Sequence, residues 1–159
     1  MLNIRIMEQG DLVKAAYIHK VAFVRQMMSL AWLECNLNAH PRSFCFVAAQ
    51  EEQEGVLLGY IIWSQKSGFR SEVVLELEQL AVLPDHHGQG IGQTLIKASL
   101  PLVKERLADQ GSVLKYIVVT TRADNSAQKL YRKTLGADVE ATLSNLYSSD
   151  EVVMVARRV

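Results

Sequence analysis

The chain has 159 residues, 49% of them hydrophobic and 21% charged, with Lys plus Arg and Asp plus Glu balanced at 17 each. That is ordinary globular composition, with chain enough for one domain over residues 1–159 and a sizeable core. Balanced charge sets up no overall field for nucleic acid or an anionic membrane, and no apolar run reaches membrane-spanning length.

The amino terminus, MLNIRIMEQGD, carries charges and no apolar signal core. The two cysteines, Cys35 and Cys45, have neither metal nor redox spacing, which reads as two buried thiols in the cytoplasm rather than a disulfide. Leu2, Ile4 and Ile6 alternate with polar residues as a first strand. Gly10-Asp11 then caps a helix whose Leu12, Ala15, Ala16, His19, Ala22 and Phe23 share a face. His19 on that face reads as a hydrogen-bonded, partly buried histidine rather than a catalyst. Residues 26–40 are helix-like but poorly periodic, with a break near Asn36-Leu37-Asn38. Residues 43–50 and 56–64 read as a hairpin around an acidic turn, and Gly59 marks a bulge or a close backbone approach.

A loop around Lys66-Ser67-Gly68 leads into LELEQLAVLPDHHGQGIG, residues 75–92, which organises the rest. Leu75 and Leu77 are two apart, as are Leu80 and Val82, with a step of three between the pairs. One extra residue near Glu78-Gln79 is what a β-bulge produces, and a bulge frees backbone groups for an extended ligand arm. Gly88, Gly90 and Gly92 follow, and then Ile91, Leu95, Ala98 and Leu102 recur at helical spacing. A strand, a glycine-dense turn and a helix N-terminus make an anion site, because N–H groups converge where the helix dipole is positive. The helix runs to about residue 108 and holds Pro101, which should kink or divide it. Residues 114–121 suit a central strand, and Asp124-Asn125 cap a helix with Ala127, Leu130, Tyr131 and Thr134 on one face, ended by Gly136. Val139, Ala141 and Leu143 alternate as a sixth strand, and residues 152–155 form a seventh.

LAVLPDHHGQGIGQTLI resembles the acyl-CoA-binding segment of the GNAT superfamily of N-acetyltransferases, with its Gln/Arg-x-x-Gly-x-Gly/Ala pattern on His87, Gly90 and Gly92. ADNSAQKLYRKTLGAD is similar to the family's second segment, matching at Tyr131 and Gly136, while Asp124 stands where the family has Asn and Asn125 lies one position late. The resemblance implies an α+β fold. A central mixed, mostly antiparallel sheet of about seven strands, splayed at the fourth and fifth, would be flanked by about four helices. It also implies acetyl-CoA as acyl donor, with Leu80, Ala81, Val82, His87, Gly88, Gln89, Gly90, Ile91, Gly92, Asn125 and Tyr131 at the cofactor. The Leu80 N–H is the implied oxyanion donor. Residues 26–40 would shape the acceptor pocket, making Trp32, Glu34 and Asn38 candidate contacts against the alternative of surface or core packing, and a homodimer joined through terminal strands is a further implication.

Acetyl transfer to a primary amine needs a base, an oxyanion donor and an acid for the departing thiolate. Glu78, or Glu76 through water, is the candidate base and Tyr131 the candidate acid. A solvent-facing strand explains two glutamates equally well, and a core position with a satisfied hydroxyl is the alternative for Tyr131. Asp85, His86 and His87 lack a further ligand at metal spacing and read as a solvated turn, so no metal is expected. The competing function is a non-catalytic acyl-CoA-binding or sensing domain of the same fold. A dinucleotide fingerprint fails because Gln93 occupies its last glycine position.

Overall fold

The computed structural model describes residues Met1–Val159. In chain order it holds β1 (Leu2–Ile6), α1 (Leu12–Ala22), α2 (Ser29–Asn38), β2 (Ser43–Gln50), β3 (Leu57–Gln65) and β4 (Glu72–Val82). Then come α3 (Ile91–Asp109), β5 (Val113–Arg122), α4 (Ala127–Leu135), β6 (Asp138–Leu143) and β7 (Glu151–Ala156). The seven strands form one sheet in the order β1-β2-β3-β4-β5-β7-β6. Pairing is antiparallel for β1/β2, β5/β7 and β6/β7, and parallel for β4/β5, which is the mixed α+β sheet expected. The parallel ladder runs from Glu72↔Val113 to Glu76↔Val118 and stops there, so the splay falls between the fourth and fifth strands. By chain segment there are two compact units, residues 1–63 with 79–103 and residues 64–78 with 104–159.

In the first unit, Met7, Ile18, Leu33, Val47, Tyr60 and Ile62 belong to one buried apolar cluster. The first helix begins at Leu12 with Asp11 at its N-cap position, as the Gly10-Asp11 pair implied, but the Asp11 side chain does not cap it. Asp11 spends its carboxylate on Arg5, in two bonds of 2.7 and 2.8 Å, and on the Glu8 N–H at 2.8 Å. A 3₁₀ turn over Gln9–Asp11 therefore precedes α1, and Asp11 makes no side-chain cap. Poor periodicity in residues 26–40 resolves into the shorter α2, which ends at Asn38. Gly59 marks a close backbone approach: a Cβ there would lie 2.6 Å from the Ala81 carbonyl oxygen.

Two backbone bonds locate the extra residue in β4. Lys66 N–H reaches the Val74 carbonyl and Leu83 N–H the Leu58 carbonyl; between these anchors β3 advances eight residues and β4 nine. The surplus residue lies in the interval that holds Glu78-Gln79. Burial nevertheless alternates without interruption along β4, so Gln79, and not Leu80, takes the inward position.

The buried stripe of α3 differs from the expected one. Ile91 and Leu95 are buried, but Ala98 and Leu102 are exposed, and the stripe continues through Ser99, Val103 and Leu107. Ser99 disguises the pattern because its hydroxyl accepts the Trp63 indole N–H at 2.8 Å, a polar partner inside an apolar face. Pro101 sits inside α3 on its exposed side, and the helix continues to Asp109 undivided. In the second unit, β6 is the sheet's edge strand and all six of its residues are exposed. The apolar alternation of Val139, Ala141 and Leu143 therefore buries nothing, and the ladder slips at Glu140. Cys35 is exposed rather than buried; Cys45 is buried, and both are free thiols.

Candidate active site

In the first unit, β4 runs into Leu83 and a 3₁₀ turn at Pro84–His86 before α3 begins. Gly88 and Gly90 both take left-handed backbone, φ +76° and +79°, which glycine adopts without strain. Nothing lies within 4 Å of where either Cβ would stand, so the conformation and not crowding demands glycine, and the turn is open outward. The first helical bond is Thr94 N–H to the Gly90 carbonyl at 3.0 Å, which leaves the N–H groups of Ile91, Gly92 and Gln93 without helical acceptors. No acidic residue stands in the first turn to occupy them. A helix start with free N–H groups is electropositive and suits an anion.

His87 is engaged on both sides. Its N–H bonds the Pro84 carbonyl at 3.2 Å, and its ring Nε2 donates to the Val82 carbonyl at 2.9 Å. The cradle's available donors accordingly begin after His87. Leu80 and Val82 are half-buried, and Ala81 is buried with its carbonyl against Gly59.

Gln79 anchors a polar chain that sequence reasoning missed. Its Oε1 accepts the Tyr60 hydroxyl at 2.6 Å and the Trp32 indole N–H at 2.9 Å, while its Nε2 donates to Gln26 Oε1 at 3.0 Å. His19, fully buried, reaches the same Gln26 oxygen through Nε2 at 2.8 Å and Ser29 through Nδ1 at 2.7 Å. Because Gln26 Oε1 can only accept, the Nε2 of His19 carries a proton. His19 is thus the hydrogen-bonded histidine expected. Trp32 is tied to this chain, whereas Glu34 and Asn38 are exposed. The signal for Gln79 was the step of three in the apolar phase, which left a polar residue on an inward slot.

In the second unit, Glu76 and Glu78 are both half-buried, two residues apart on β4. Glu76 Oε2 pairs with the Lys66 ammonium at 3.0 Å, the carboxylate being the better buried partner. Tyr131 lies in α4 and is buried; burial pushes its phenol up to about 12, so the hydroxyl stays protonated at neutral pH. No group in the chain hydrogen-bonds that hydroxyl, and it is not among the fully buried polar atoms left without partners. Asn125 serves its own helix: Oδ1 accepts the Ala127 N–H at 2.9 Å and Nδ2 donates to Thr121 at 3.0 Å. Asp124 takes the Arg122 guanidinium in bonds of 3.0 and 3.2 Å. Gly136, at φ +67°, closes α4 with its N–H on the Arg132 carbonyl.

A cleft of about 500 Å³ also belongs to this unit, lined by Lys66, Ser67, Arg70, Ser71, Glu72 and Lys115 among others. No group of three or more His, Cys, Asp or Glu side chains is placed to hold a metal ion, and no helix is long and apolar enough to cross a membrane.

Residues 12–137 match the model of the Acetyltransferase (GNAT) family. Comparison with curated proteins finds no match. Among solved structures, the chain is similar to the ribosomal-protein-S18-alanine N-acetyltransferase of Escherichia coli, with TM-score 0.76 and 22% identity over 99% of this chain and 94% of that one. It is also similar to Arabidopsis thaliana NAA60 in complex with acetyl-CoA, with TM-score 0.79 and 15% identity over 99% of each chain. A spermidine N-acetyltransferase chimera from Vibrio cholerae and hSSAT gives TM-score 0.74 and 22% identity over 98% of this chain and 95% of that one. At these identities the likeness concerns the fold, and the family follows from the model match: the chain belongs to the Acetyltransferase (GNAT) family.

Proposed function

We propose that this chain, as one domain over residues 1–159, transfers the acetyl group of acetyl-CoA to a primary amine by direct attack in a ternary complex. The observation that carries the reading is the left-handed Gly88/Gly90 turn feeding the unbonded N–H groups at the start of α3, in a chain of this family. The N–H groups from Gly88 through Gly92, which include two of these, take the pyrophosphate. The backbone of Leu80 to Val82 takes the pantetheine arm, with the Leu80 N–H on the developing oxyanion.

The amine nitrogen attacks the thioester carbon, forming the C–N bond, and collapse of the tetrahedral intermediate breaks the C–S bond. Glu78, or Glu76 through a water, takes the ammonium proton. Tyr131 gives its phenolic proton to the departing sulfur, a role suited to a hydroxyl that burial keeps protonated, and the second proton that the nitrogen loses as the intermediate collapses to the amide restores the phenol. Asn125 holds the turn into α4 rather than the cofactor in this reading, because both ends of its amide have partners within the chain. Two free thiols favour a reducing, cytoplasmic setting, and the edge strands β1 and β6 are the surfaces through which a homodimer would pair. The test is coenzyme A release from acetyl-CoA across a panel of small amines and short peptides against a blank without acceptor. Selective release supports the reading, and acetyl-CoA binding with no release on any amine favours the sensing domain.

A further inference from the structure

The second unit's cleft carries more positive than negative charge. Three cations line it, Lys66, Arg70 and Lys115, against one acid, Glu72. Lys66 is paired with Glu76 at 3.0 Å, and Lys115 stands 4.0 Å from Glu72. Arg70 is the cation left over: its Nε donates to the Ser67 carbonyl at 2.9 Å, and its two terminal nitrogens have no partner in the chain. Counting the three cations against Glu72 and Glu76 leaves one positive charge, matched to a monoanion rather than a dianionic phosphate. A guanidinium with its forked end open is the side chain that binds a planar carboxylate in two parallel bonds. The hydroxyls of Ser67 and Ser71 in the lining add neutral donors.

The cleft also neighbours one of the two candidate bases, Glu76. Val74 lines it, and Glu76 follows two residues later on the same strand, about 7 Å along at the rise of a β-strand. Lys66 belongs to both places, lining the cleft and holding Glu76. We propose that the amine acceptor carries a carboxylate a few bonds from its nitrogen, seated on Arg70 with Lys115 and Lys66 beside it, so that the amine is presented toward Glu76 and Glu78. The acceptor class is then an acidic amino acid or a peptide with an acidic residue at its amino terminus. A polyamine, all positive charge, is repelled by the same three cations. The inference rests on the acetyl-transfer reading for the identity of the reacting group, but the anion site stands on its own geometry.

The test uses the full chain with acetyl-CoA and three probes: the dipeptide glutamyl-alanine, its neutral counterpart glutaminyl-alanine, both amidated at the carboxyl terminus so that only the first side chain differs in charge, and spermidine. Coenzyme A release gives kcat/KM for each, and calorimetry gives binding of each to the chain loaded with coenzyme A. The expected result is a preference for glutamyl-alanine of about tenfold in both readouts, as one charge-assisted pair supplies. The preference should disappear in Arg70→Gln combined with Lys115→Gln, while acetyl-CoA binding persists and reports that the variant is folded. Turnover without preference, or with spermidine favoured, overturns this inference and leaves acetyl transfer standing. Absence of turnover on these probes and across the wider amine panel defeats the acetyl-transfer reading instead, and calorimetry then decides the cleft: selective glutamyl-alanine binding sustains it, and equal or absent binding overturns it.

Discussion

Tyr60 donates its hydroxyl to Gln79 Oε1 at 2.6 Å between two buried residues of neighbouring strands. That oxygen also takes the Trp32 N–H, and the amide nitrogen of Gln79 reaches back to Gln26. One glutamine at the bulged part of β4 therefore ties β3, α2 and the segment between α1 and α2 together. Replacing Gln79 by Leu fills similar space but strips the buried Tyr60 hydroxyl and the half-buried Trp32 indole of their acceptor. Urea unfolding should show a loss of about 2–4 kcal/mol, from two groups at the usual cost of an orphaned polar atom. An unchanged midpoint would mean the chain of bonds contributes nothing.

Gly59 tests the close approach beside this network. A methyl group there meets the Ala81 carbonyl at 2.6 Å, backbone against backbone, with no flexible side chain to yield. Gly59→Ala should destabilise by about 1–3 kcal/mol, as overpacking does. Gly10→Ala, where nothing stands within 4 Å, is the control and should be close to neutral on this count.

The glycine turn predicts a separation of binding from folding. Gly90→Ala forces a side chain into φ +79°, strain of about 1–2 kcal/mol that the turn relieves by moving its N–H groups. Acetyl-CoA affinity should fall about tenfold or more. Gly111→Ala carries similar strain, at φ +81°, in the turn after α3. It should cost comparable stability with acetyl-CoA affinity unchanged. Equal loss of affinity in both variants would remove the cradle assignment.

Tyr131→Phe removes only the acid. Turnover should drop by about 10²-fold, with acetyl-CoA affinity nearly unchanged, the size expected of a single positioned proton donor. Unchanged turnover removes Tyr131 from the mechanism.

Stability should also fall in alkali. Burial raises the Tyr131 phenol from 10.0 and the Cys45 thiol from 9.0, each to about 12, and raises the Tyr60 phenol as well. Between pH 9 and 12 the unfolded chain therefore releases protons that the folded chain keeps, and stability declines as pH rises. The contribution is fully present below pH 9 and is lost as pH passes through the folded values. Denaturation midpoints measured from pH 8 to 11 check the sign; a flat profile would contradict it.

Much of this architecture is visible in the sequence because its signals are local. Alternation, helical spacing and glycine-rich turns reach only a few residues, and they place the sheet, the hairpin of β2 and β3 and the start of α3. Three of the misreadings share a cause, a polar residue doing buried work through a partner outside its own element. Ser99 in the α3 stripe answers Trp63, Asp11 answers Arg5, and Gln79 answers Tyr60 and Trp32. The edge strand β6 shows the converse, since its alternation is sound but no layer covers it. The cationic cleft gathers Lys66 and Arg70 with Lys115, and no spacing rule joins residues that far apart in the chain.

The most direct test of acetyl transfer is mass spectrometry of amines incubated with the chain and isotopically labelled acetyl-CoA, alongside a boiled-protein blank. The account predicts the labelled acetyl group on the nitrogen of one class of amine, with one coenzyme A released for each. Bound acetyl-CoA that persists intact, with no labelled amine in any class, would contradict it and leave a coenzyme-binding domain without transferase activity.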